Sequence, residues 1–193
     1  MEPAEKLRIF DVCRHGSYVL GPGCRYVVWT QGCMRRCKGC LTPESQPLDG
    51  GVEISVSDLA ADIVLNTAID GITISGGEPM LQAEALTAML RMVRQHRPEL
   101  SVIVYTGATF EALQEDIIAG ELLKYVDVLI DGEYVESKND GLGIRGSSNQ
   151  RIIPITHRLD PYLEYMRTGA RRVERIASSA ETYTTIGIPS RVH

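Results

Sequence analysis

The sequence predicts an α/β fold with a mostly parallel sheet, and two observations support this prediction. Short apolar segments rich in β-branched residues recur at 26–30, 71–75, 101–105 and 126–130. Stretches whose apolar residues recur at helical spacing separate these segments. Because strands that alternate with helices form right-handed βαβ units, these strands are expected to run parallel. With 193 residues, the chain is long enough for one full-sized core.

The elements of the first half follow from local signals. The segment YVVWT at 26–30 is predicted to be a strand that leads directly into a group of cysteines. A polar stretch rich in proline and glycine, 43–51, is predicted to be a loop. Ser57 or Asp58 is predicted to cap a helix with one apolar face. The segment GITIS at 71–75 is predicted to be a buried strand.

The alternation continues in the second half. Apolar residues between positions 81 and 93 predict a helix, and SVIVY at 101–105 predicts a strand. A second helical pattern covers 110–117, and VDVLI at 126–130 predicts the next strand. The chain therefore offers repeated strand–helix units up to about residue 130.

A C-terminal extension is predicted to follow the core. The alternation weakens after Pro154, and the sequence predicts a core at 1–153 with an extension at 154–193 that serves as a lid or docking element. The extension has six Arg, no Lys and four acidic residues, so it is mildly basic. Spacing at 162–176 predicts a helix, and 182–189 predicts a strand.

Composition narrows the function. The formal net charge is −5, which argues against a general nucleic-acid partner or an anionic membrane, because both need a basic face. The sequence shows no apolar run of about 20 residues and no signal-peptide pattern at its start, so a cytoplasmic location is expected. In that reducing compartment, clustered cysteines indicate metal binding or catalysis rather than disulfides.

Unusual turns follow four of the predicted strands. In parallel sheets, ligands bind beyond the carboxyl ends of the strands, so these turns are expected to meet at one rim. The residues concerned are Cys33, Cys37 and Cys40, then Gly76, Gly77, Glu78 and Pro79, then Thr106, and then Asp131.

Three cysteines, Cys33, Cys37 and Cys40, have the spacing C-x3-C-x2-C. Thiolates bind zinc or iron–sulfur clusters. On a four-iron cluster, three thiolates would leave one iron without a protein ligand and open to substrate or cofactor. The alternative is a structural zinc site completed by the distant His15 or Cys24, because closed zinc sites have four protein ligands.

The turn at 76–79 places two glycines and an acid directly after a strand. Glycines allow a ligand to approach the backbone closely. The Glu78 carboxylate can accept a hydrogen bond from an ammonium group. The alternative is an ordinary strand-to-helix turn with Glu78 in the first helical turn.

Together, the cysteine triplet and the later G-G-E-P resemble the radical S-adenosylmethionine superfamily. The resemblance implies an incomplete β/α barrel in which Cys33, Cys37 and Cys40 hold a [4Fe–4S] cluster. It also implies that S-adenosylmethionine occupies the open iron, with the 76–79 turn lining this cofactor. The implied reaction is reductive cleavage to methionine and a 5′-deoxyadenosyl radical, which abstracts hydrogen.

A narrower resemblance covers residues 17–153. The strings GPGCRYVVWTQGCMRRCKGC, YTGATFEAL, DVLIDGEYV and RGSSNQRII are similar to the activating enzymes of anaerobic, class III ribonucleotide reductases. Such enzymes commonly have a glycine before the last cysteine, as here at Gly39, where many superfamily members have an aromatic residue. Thr106 and Asp131 are expected at the cofactor rim because they follow predicted strands, and this resemblance implies a role for Arg145 and Asn149 near the cofactor or the incoming substrate.

The resemblance implies two partners. One is a large glycyl radical enzyme as protein substrate, and the other is an electron donor such as flavodoxin or ferredoxin. Two alternatives remain open at this point. The chain is either a radical enzyme that acts on a small molecule or peptide in a biosynthetic pathway, or a non-enzymatic zinc or iron–sulfur module.

Overall fold

In a computed structural model, residues 5–177 and 183–189 are described, and they form a mixed main sheet, helices and a separate β-hairpin. The strands of the main sheet are β1 (Lys6–Ser17), β2 (Arg25–Thr30), β3 (Val52–Ser55), β4 (Gly71–Gly76), β5 (Ser101–Tyr105), β6 (Val128–Asp131) and β7 (Arg151–Pro154). The helices are α1 (Val56–Leu65), α2 (Ala83–His96), α3 (Phe110–Glu115), α4 (Ile117–Leu123) and α5 (Leu163–Thr168). The hairpin consists of β8 (Val173–Ala177) and β9 (Tyr183–Gly187).

The predicted α/β fold with a mostly parallel sheet is confirmed at the centre of the molecule. The strand order of the main sheet is β3-β1-β2-β4-β5-β6-β7. Strands β2, β4, β5 and β6 run parallel to one another, whereas β1, β3 and β7 are antiparallel to their neighbours. The carboxyl ends of the four parallel strands therefore meet at one edge.

Both faces of the central strands are buried, because side chains alternate along a strand. On the first face, Tyr26 and Val28 of β2 join a large core with α1, α2 and α4. On the opposite face, Val27 of β2 lies in a smaller core that includes Ile186 of the hairpin. The hairpin therefore covers the face that the helices leave free.

Two helix boundaries differ from those predicted. The cap of α1 is Ser55, whose side chain accepts a hydrogen bond from the Asp58 N–H, so the predicted caps Ser57 and Asp58 are wrong. The helical pattern at 110–117 is divided into α3 and α4. Asp116 separates these helices, since its carboxylate accepts the N–H groups of Ile118 and Ala119.

The helix predicted at 162–176 is wrong beyond Thr168. Gly169 follows α5, and its N–H donates to the Tyr165 carbonyl at 2.8 Å. The chain then enters β8, which pairs antiparallel with β9. Of the strand predicted at 182–189, Tyr183–Gly187 forms β9, residues 188 and 189 follow the strand, and residue 182 lies outside the described residues.

The C-terminal extension is packed against the core. Strand β7 spans the predicted boundary between residues 153 and 154, and the Ile155 N–H donates to the Asp127 carbonyl at 2.9 Å. The buried side chain of Arg171 donates to the Asn139 side chain and to the Arg145 carbonyl, each at 2.6 Å. Desolvation lowers the pKa of Arg171. In the part of the chain that the structure describes, no helix is long and apolar enough to cross a membrane.

Candidate active site

A cavity of about 340 Å³ lies at the carboxyl ends of the parallel strands. Its walls come from the turns that follow β2, β4, β5 and β6, together with β1 and the hairpin. The lining residues include Phe10, Asp11, Leu20, Trp29, Cys33, Arg35, Cys37, Cys40, Gly76, Gly77, Glu78, Tyr105, Thr106, Gly107, Gly132, Tyr134, Gly146, Gln150, Thr185, Gly187, Ile188 and Pro189. The predicted meeting of four strand-end turns at one rim is therefore seen in the structure.

The cysteine loop, residues 31–42, follows β2 and is held by backbone hydrogen bonds to residues 45 and 46. The Gly32 N–H donates to the Ser45 carbonyl at 2.7 Å, and the Cys33 N–H donates to the Gln46 carbonyl at 2.9 Å. Cys33, Cys37 and Cys40 are free thiols, partly exposed, and all three line the cavity. The loop therefore places three sulfur atoms, which are candidate metal ligands, at the surface of one cavity.

The glycine turn, residues 76–79, follows β4 and is bonded to the cysteine loop. The Gly77 N–H donates to the Thr30 carbonyl and the Glu78 N–H donates to the Gly32 carbonyl, each at 2.8 Å. A Cβ on Gly77 would lie 2.3 Å from the Gly32 carbonyl oxygen, so a side chain at this position would collide with the cysteine loop. Gly77 thus allows close contact between two backbones.

The Glu78 carboxylate is 6% exposed and accepts four hydrogen bonds. One oxygen accepts the Thr106 hydroxyl at 2.7 Å and the Met80 N–H at 3.2 Å. The other accepts the Gly107 N–H at 2.9 Å and Arg35 Nε at 3.1 Å. Glu78 was predicted to receive an ammonium group, but its side chain joins the turns after β2, β4 and β5.

Arg35 crosses the cavity from the cysteine loop to the turn after β5. Among the described residues that line the cavity, it is the only lysine, arginine or histidine. A Cβ on Gly107 would lie 2.4 Å from Cδ and Nε of Arg35, so Gly107 leaves the space that this side chain fills.

The predicted site residues at the other turns have different placements. Thr106 lines the cavity. Pro79 is buried and begins a short 3-10 turn. The Asp131 carboxylate is fully buried, accepts the Phe110 N–H at 2.7 Å and forms an ion pair with Arg151. Its oxygens are therefore occupied by protein groups at the edge of the sheet.

Arg145 and Asn149 also have protein partners. Arg145 donates to Asp140 at 2.8 Å, and Asn149 donates to the Glu133 carbonyl at 2.8 Å. The segment reaches the cavity through Gly146 and Gln150, neither of which the sequence analysis selects as a site residue. Gln150 accepts the N–H groups that follow Arg145 along the chain and donates to the Gly132 carbonyl at 2.8 Å.

The zinc alternative finds no support in the geometry. His15 is exposed on β1, and Cys24 is buried against its carbonyl, with the thiol donating at 3.9 Å. Neither residue lines the cavity. Burial raises the pKa of the Cys13 thiol, so this thiol stays neutral and behaves as a small hydrophobic side chain.

Comparison with known proteins decides the family. The profile described as "4Fe-4S single cluster domain" matches residues 19–153. Over 141 residues the chain is 35% identical to the anaerobic ribonucleoside-triphosphate reductase-activating protein of Enterobacteria phage T4. The matched segment covers 70% of this chain and 87% of that protein. The chain belongs to the radical S-adenosylmethionine activating enzymes.

Other relatives agree with this family. The radical S-adenosylmethionine enzyme described here is 35% identical over 142 residues to the anaerobic ribonucleoside-triphosphate reductase-activating protein of Vibrio cholerae serotype O1, which covers 69% of this chain and 90% of that protein. It is 29% identical over 156 residues to the pyruvate formate-lyase 1-activating enzyme of Escherichia coli (strain K12), which covers 77% of this chain and 59% of that protein.

A [4Fe–4S] cluster and S-adenosylmethionine are the cofactors of this radical S-adenosylmethionine enzyme. Its donor set fits the cluster, because three free thiols line one cavity and thiolates are the usual cluster ligands. Among residues 5–177 and 183–189, no three His, Cys, Asp or Glu side chains already converge on one point. Cys37 Sγ instead donates to Glu133 at 3.6 Å, and burial together with this carboxylate raises the pKa of the Cys37 thiol.

Proposed function

We propose that this enzyme installs a glycyl radical on a large protein partner of the anaerobic ribonucleoside-triphosphate reductase type. The observation that carries the proposal is the cavity shared by the cysteine loop and the glycine turn, in a chain 35% identical to a reductase-activating protein over 141 residues. A one-electron donor such as flavodoxin or ferredoxin supplies the reducing equivalent. Arg36 and Lys38 are exposed beside the cysteines and suit an acidic donor surface.

The residues of the cavity have distinct roles in this proposal. Cys33, Cys37 and Cys40 hold the cluster. When bound, the cluster and S-adenosylmethionine supply a 5′-deoxyadenosyl radical that abstracts hydrogen. Glu78 holds the cysteine loop against the turn after β5, and Thr106 orients that carboxylate through its hydroxyl.

The remaining assignments from sequence are part of the same proposal. Backbone groups of Gly76 and Gly77 face the cofactor at the carboxyl end of β4, and Pro79 fixes the path of the chain behind them. Asp131 stabilises the edge of the sheet beside the cofactor, whereas Arg145 and Asn149 act on the cofactor through the backbone segments they hold. Their observed partners support this indirect role, because the Asp131 carboxylate, one terminal N–H group of Arg145 and the amide N–H of Asn149 already bond to the protein.

We further propose that the main sheet forms an incomplete barrel. Two observations support this architecture. The central strands are buried on both faces, with Ile103 and Ile130 on the face opposite the helices. In addition, Ile186 of the hairpin packs on that same inner face. In this proposal residues 154–193 serve as an extension of the core at 1–153 and contribute to the mouth of the cavity.

The cluster assignment is tested by anaerobic reconstitution. We expect about four irons per chain, as for a [4Fe–4S] cluster, and loss of this iron in Cys33→Ala, Cys37→Ala and Cys40→Ala. Cys13→Ala and Cys24→Ala serve as matched controls and should retain it, because both thiols are buried away from the cavity. Loss of iron in either control would overturn the ligand assignment.

The reaction is tested with an anaerobic ribonucleoside-triphosphate reductase as the protein substrate. With reductant, S-adenosylmethionine and the reductase, we expect methionine, 5′-deoxyadenosine and the electron paramagnetic resonance doublet of a glycyl radical. Replacement of the radical-bearing glycine of the reductase by alanine should remove the doublet. Cleavage of S-adenosylmethionine without any radical on the reductase would favour the small-molecule or peptide alternative.

A further inference from the structure

Tyr105 places a phenol in the wall of the cavity. The residue ends β5, lines the cavity and packs on two cores, one that contains Ile103 and one that contains Val27. Its hydroxyl donates to the Ile144 carbonyl at 2.7 Å. Desolvation raises the pKa of this phenol, so the hydroxyl keeps its proton at neutral pH. Tyr105 is therefore a neutral hydrogen-bond donor at the edge of the site.

The acceptor of this hydrogen bond lies behind the cavity wall. Ile144 is 4% exposed, belongs to the core that contains Leu159 and Met166, and is not among the described residues that line the cavity. The hydroxyl hydrogen of Tyr105 is therefore directed into the protein rather than into the cavity. A backbone carbonyl accepts the hydrogen bond without taking up the proton, so the phenol stays intact.

Four consecutive carbonyls, which form the carbonyl segment at residues 142–145, are shared between Tyr105 and Arg171. The Arg171 guanidinium donates to the carbonyls of residues 142, 143 and 145 at 3.1, 3.4 and 2.6 Å. The remaining carbonyl, that of Ile144, accepts the Tyr105 hydroxyl. The Arg171 side chain is 3% exposed, so this guanidinium is enclosed by the groups it binds. Arg171 therefore fixes the backbone on both sides of the carbonyl that Tyr105 uses.

The backbone of the C-terminal extension holds the carbonyl segment as well. The Gly143 N–H donates to the Gly169 carbonyl and the Ile144 N–H donates to the Met166 carbonyl, each at 2.9 Å. Gly143 has φ +60°, and a Cβ there would lie 2.1 Å from the Met166 carbonyl oxygen, so glycine is required where α5 meets the segment. These partners lie at residues 166–171, beyond the end of the family profile at residue 153. The extension therefore sets the position of the Tyr105 acceptor.

A phenol in this wall is a hazard to radical chemistry. The O–H bond of a phenol is weaker than the C–H bond of a methyl group, so hydrogen-atom transfer from tyrosine to a 5′-deoxyadenosyl radical is downhill. The transfer breaks the phenolic O–H bond and forms a C–H bond at the 5′ carbon, which leaves 5′-deoxyadenosine and a neutral tyrosyl radical. The proton and one electron move together, so no further oxidant or reductant is needed. S-adenosylmethionine would then be consumed without a radical on the protein partner, a side reaction that an active site must prevent.

We propose that the C-terminal extension protects the radical reaction from Tyr105, with Arg171 as the positioning residue. By holding the carbonyl segment, Arg171 keeps the Ile144 carbonyl on the Tyr105 hydroxyl, so the phenolic hydrogen is withheld from the cavity. This inference rests on the proposed function, because it concerns a radical formed in this cavity. It gives the extension a role in the outcome of the reaction, since the radical is passed to the protein partner rather than lost to the cavity wall.

Hydroxyl exchange tests the hydrogen bond on the protein without its cofactors. When tyrosine is labelled with carbon-13 at Cζ, slow hydroxyl exchange in mixed light and heavy water splits the Cζ signal in the nuclear magnetic resonance spectrum. We expect a split signal for Tyr105, assigned by its loss in Tyr105→Phe, and one averaged signal for Tyr18, which is 59% exposed. In Arg171→Lys, the exchange rate at Tyr105 should rise by about ten-fold, because one ammonium group cannot hold all the carbonyls that the guanidinium fork holds. An averaged signal for Tyr105 in the wild-type protein, or equal exchange rates in the two proteins, would overturn the proposal.

The second test follows the radical in the cluster-loaded enzyme with reductant, S-adenosylmethionine and the reductase. In Arg171→Lys, the ratio of glycyl radical formed to S-adenosylmethionine cleaved should fall by about ten-fold, in step with the exchange rate of the hydroxyl. Electron paramagnetic resonance should show a tyrosyl radical in this variant. Adding Tyr105→Phe should remove the tyrosyl signal and restore the ratio, because phenylalanine has no hydroxyl hydrogen. A merely structural effect of Arg171→Lys would not be reversed by the second substitution, and this result would overturn the proposal.

Tyr134 provides the matched control, since it also lines the cavity. Adding Tyr134→Phe to Arg171→Lys should leave the tyrosyl signal in place. Rescue by Tyr134→Phe rather than by Tyr105→Phe, or a Tyr105 radical in the wild-type enzyme, would contradict the assigned role. Failure of the proposed function is distinct, because the wild-type enzyme would then yield no glycyl radical while hydroxyl exchange in the protein without cofactors would be as expected.

Discussion

Arg35 Nε donates to the Glu78 carboxylate at 3.1 Å, and this ion pair joins the cysteine loop to the glycine turn. The Glu78 oxygens also receive Thr106 and Gly107 from the turn after β5. One buried carboxylate thus sets the positions of three strand-end turns relative to one another. The arrangement links the cysteine loop, which is proposed to hold the cluster, to the glycine turn, which is proposed to line the cofactor.

Glu78→Gln should weaken this junction while leaving the cysteines intact. The amide keeps the shape of the side chain but brings N–H donors toward groups that are themselves donors, so the free energy of unfolding should fall by about 2–3 kcal/mol. The dissociation constant of S-adenosylmethionine, measured by equilibrium dialysis on the reconstituted enzyme, should rise. Glu115→Gln, at an exposed site on α3, is the matched control. Equal stability and affinity in both variants would contradict the role given to Glu78.

Gly77→Ala should affect the cluster as well as the cofactor. From sequence, the glycines of this turn are expected only to let a ligand approach the backbone closely. In the structure, the added Cβ meets the Gly32 carbonyl at 2.3 Å and the Ser45 carbonyl at 2.9 Å, so it pushes the cysteine loop away. Iron content after reconstitution should therefore fall together with cofactor affinity. Gly120→Ala in α4, where the nearest atom is 3.8 Å away, should retain both, and full iron loading in Gly77→Ala would support the simpler cofactor clash.

The sequence predicts the fold and the site best where a short apolar segment ends at a turn with unusual residues. The parallel strands were predicted because their apolar runs are short and β-branched, and the site followed from turns at their ends. Strands β1 and β3 were not predicted. In β1, Leu7 and Ile9 begin an alternation that the bulge at Phe10 interrupts, and charged residues occupy much of the strand. A bulge depends on the pairing partner, which local sequence does not specify.

Local sequence also does not specify which side chains pair between neighbouring strands. Asp131 follows a strand in the way that Thr106 does, yet only Thr106 lines the cavity. The difference arises from Arg151, which lies on the antiparallel neighbour β7 and pairs with the Asp131 carboxylate. Gln150 was overlooked for the same reason, because its contacts with Gly132 exist only after β7 has joined the sheet.

Asp131→Asn should therefore lower stability rather than cofactor affinity. The carboxylate is fully buried, and loss of a buried ion-pair partner typically costs about 3–5 kcal/mol. Since Arg151 is half-exposed and retains Glu111, we expect the lower end, about 3 kcal/mol, by chemical denaturation. The dissociation constant of S-adenosylmethionine should be unchanged. A large loss of affinity for S-adenosylmethionine in a variant of normal stability would instead indicate that Asp131 contacts the cofactor directly.

Glu111 gives a test in the acid range. Its hydrogen bonds to Arg151 lower the pKa of the carboxyl group from 4.5 to about 2. Because the folded-state pKa is depressed, the stabilisation is present above pH 4.5 and is lost as the pH falls toward 2. The difference in urea midpoint between wild type and Glu111→Gln should be small, since the pair is exposed, and should shrink below pH 4.5. A difference that grows on acidification would contradict this pairing.

Gln150→Ala should disturb the turn after β6 through the backbone. The side-chain oxygen of Gln150, Oε1, accepts the Gly146 N–H at 2.8 Å and the Ser147 N–H at 3.1 Å. The side-chain nitrogen, Nε2, donates to the Gly132 carbonyl at 2.8 Å. Alanine leaves these buried groups without a partner, and each unsatisfied group costs about 1–3 kcal/mol. The turn after β6 should therefore move, and S-adenosylmethionine should bind more weakly while the iron content is retained.

Comparison with Asn149→Ala tests whether this segment acts on the cofactor indirectly, by fixing the turn after β6. Asn149 donates only to the Glu133 carbonyl at 2.8 Å, one residue beyond Gly132, so it holds the same turn from a more exposed position. If the segment acts by fixing the turn, cofactor affinity should fall in the order of lost hydrogen bonds, more in Gln150→Ala than in Asn149→Ala. The comparison is made at temperatures where both variants are fully folded by circular dichroism. A larger effect in Asn149→Ala would instead indicate that its side chain contacts the cofactor directly, since its structural bonds are fewer.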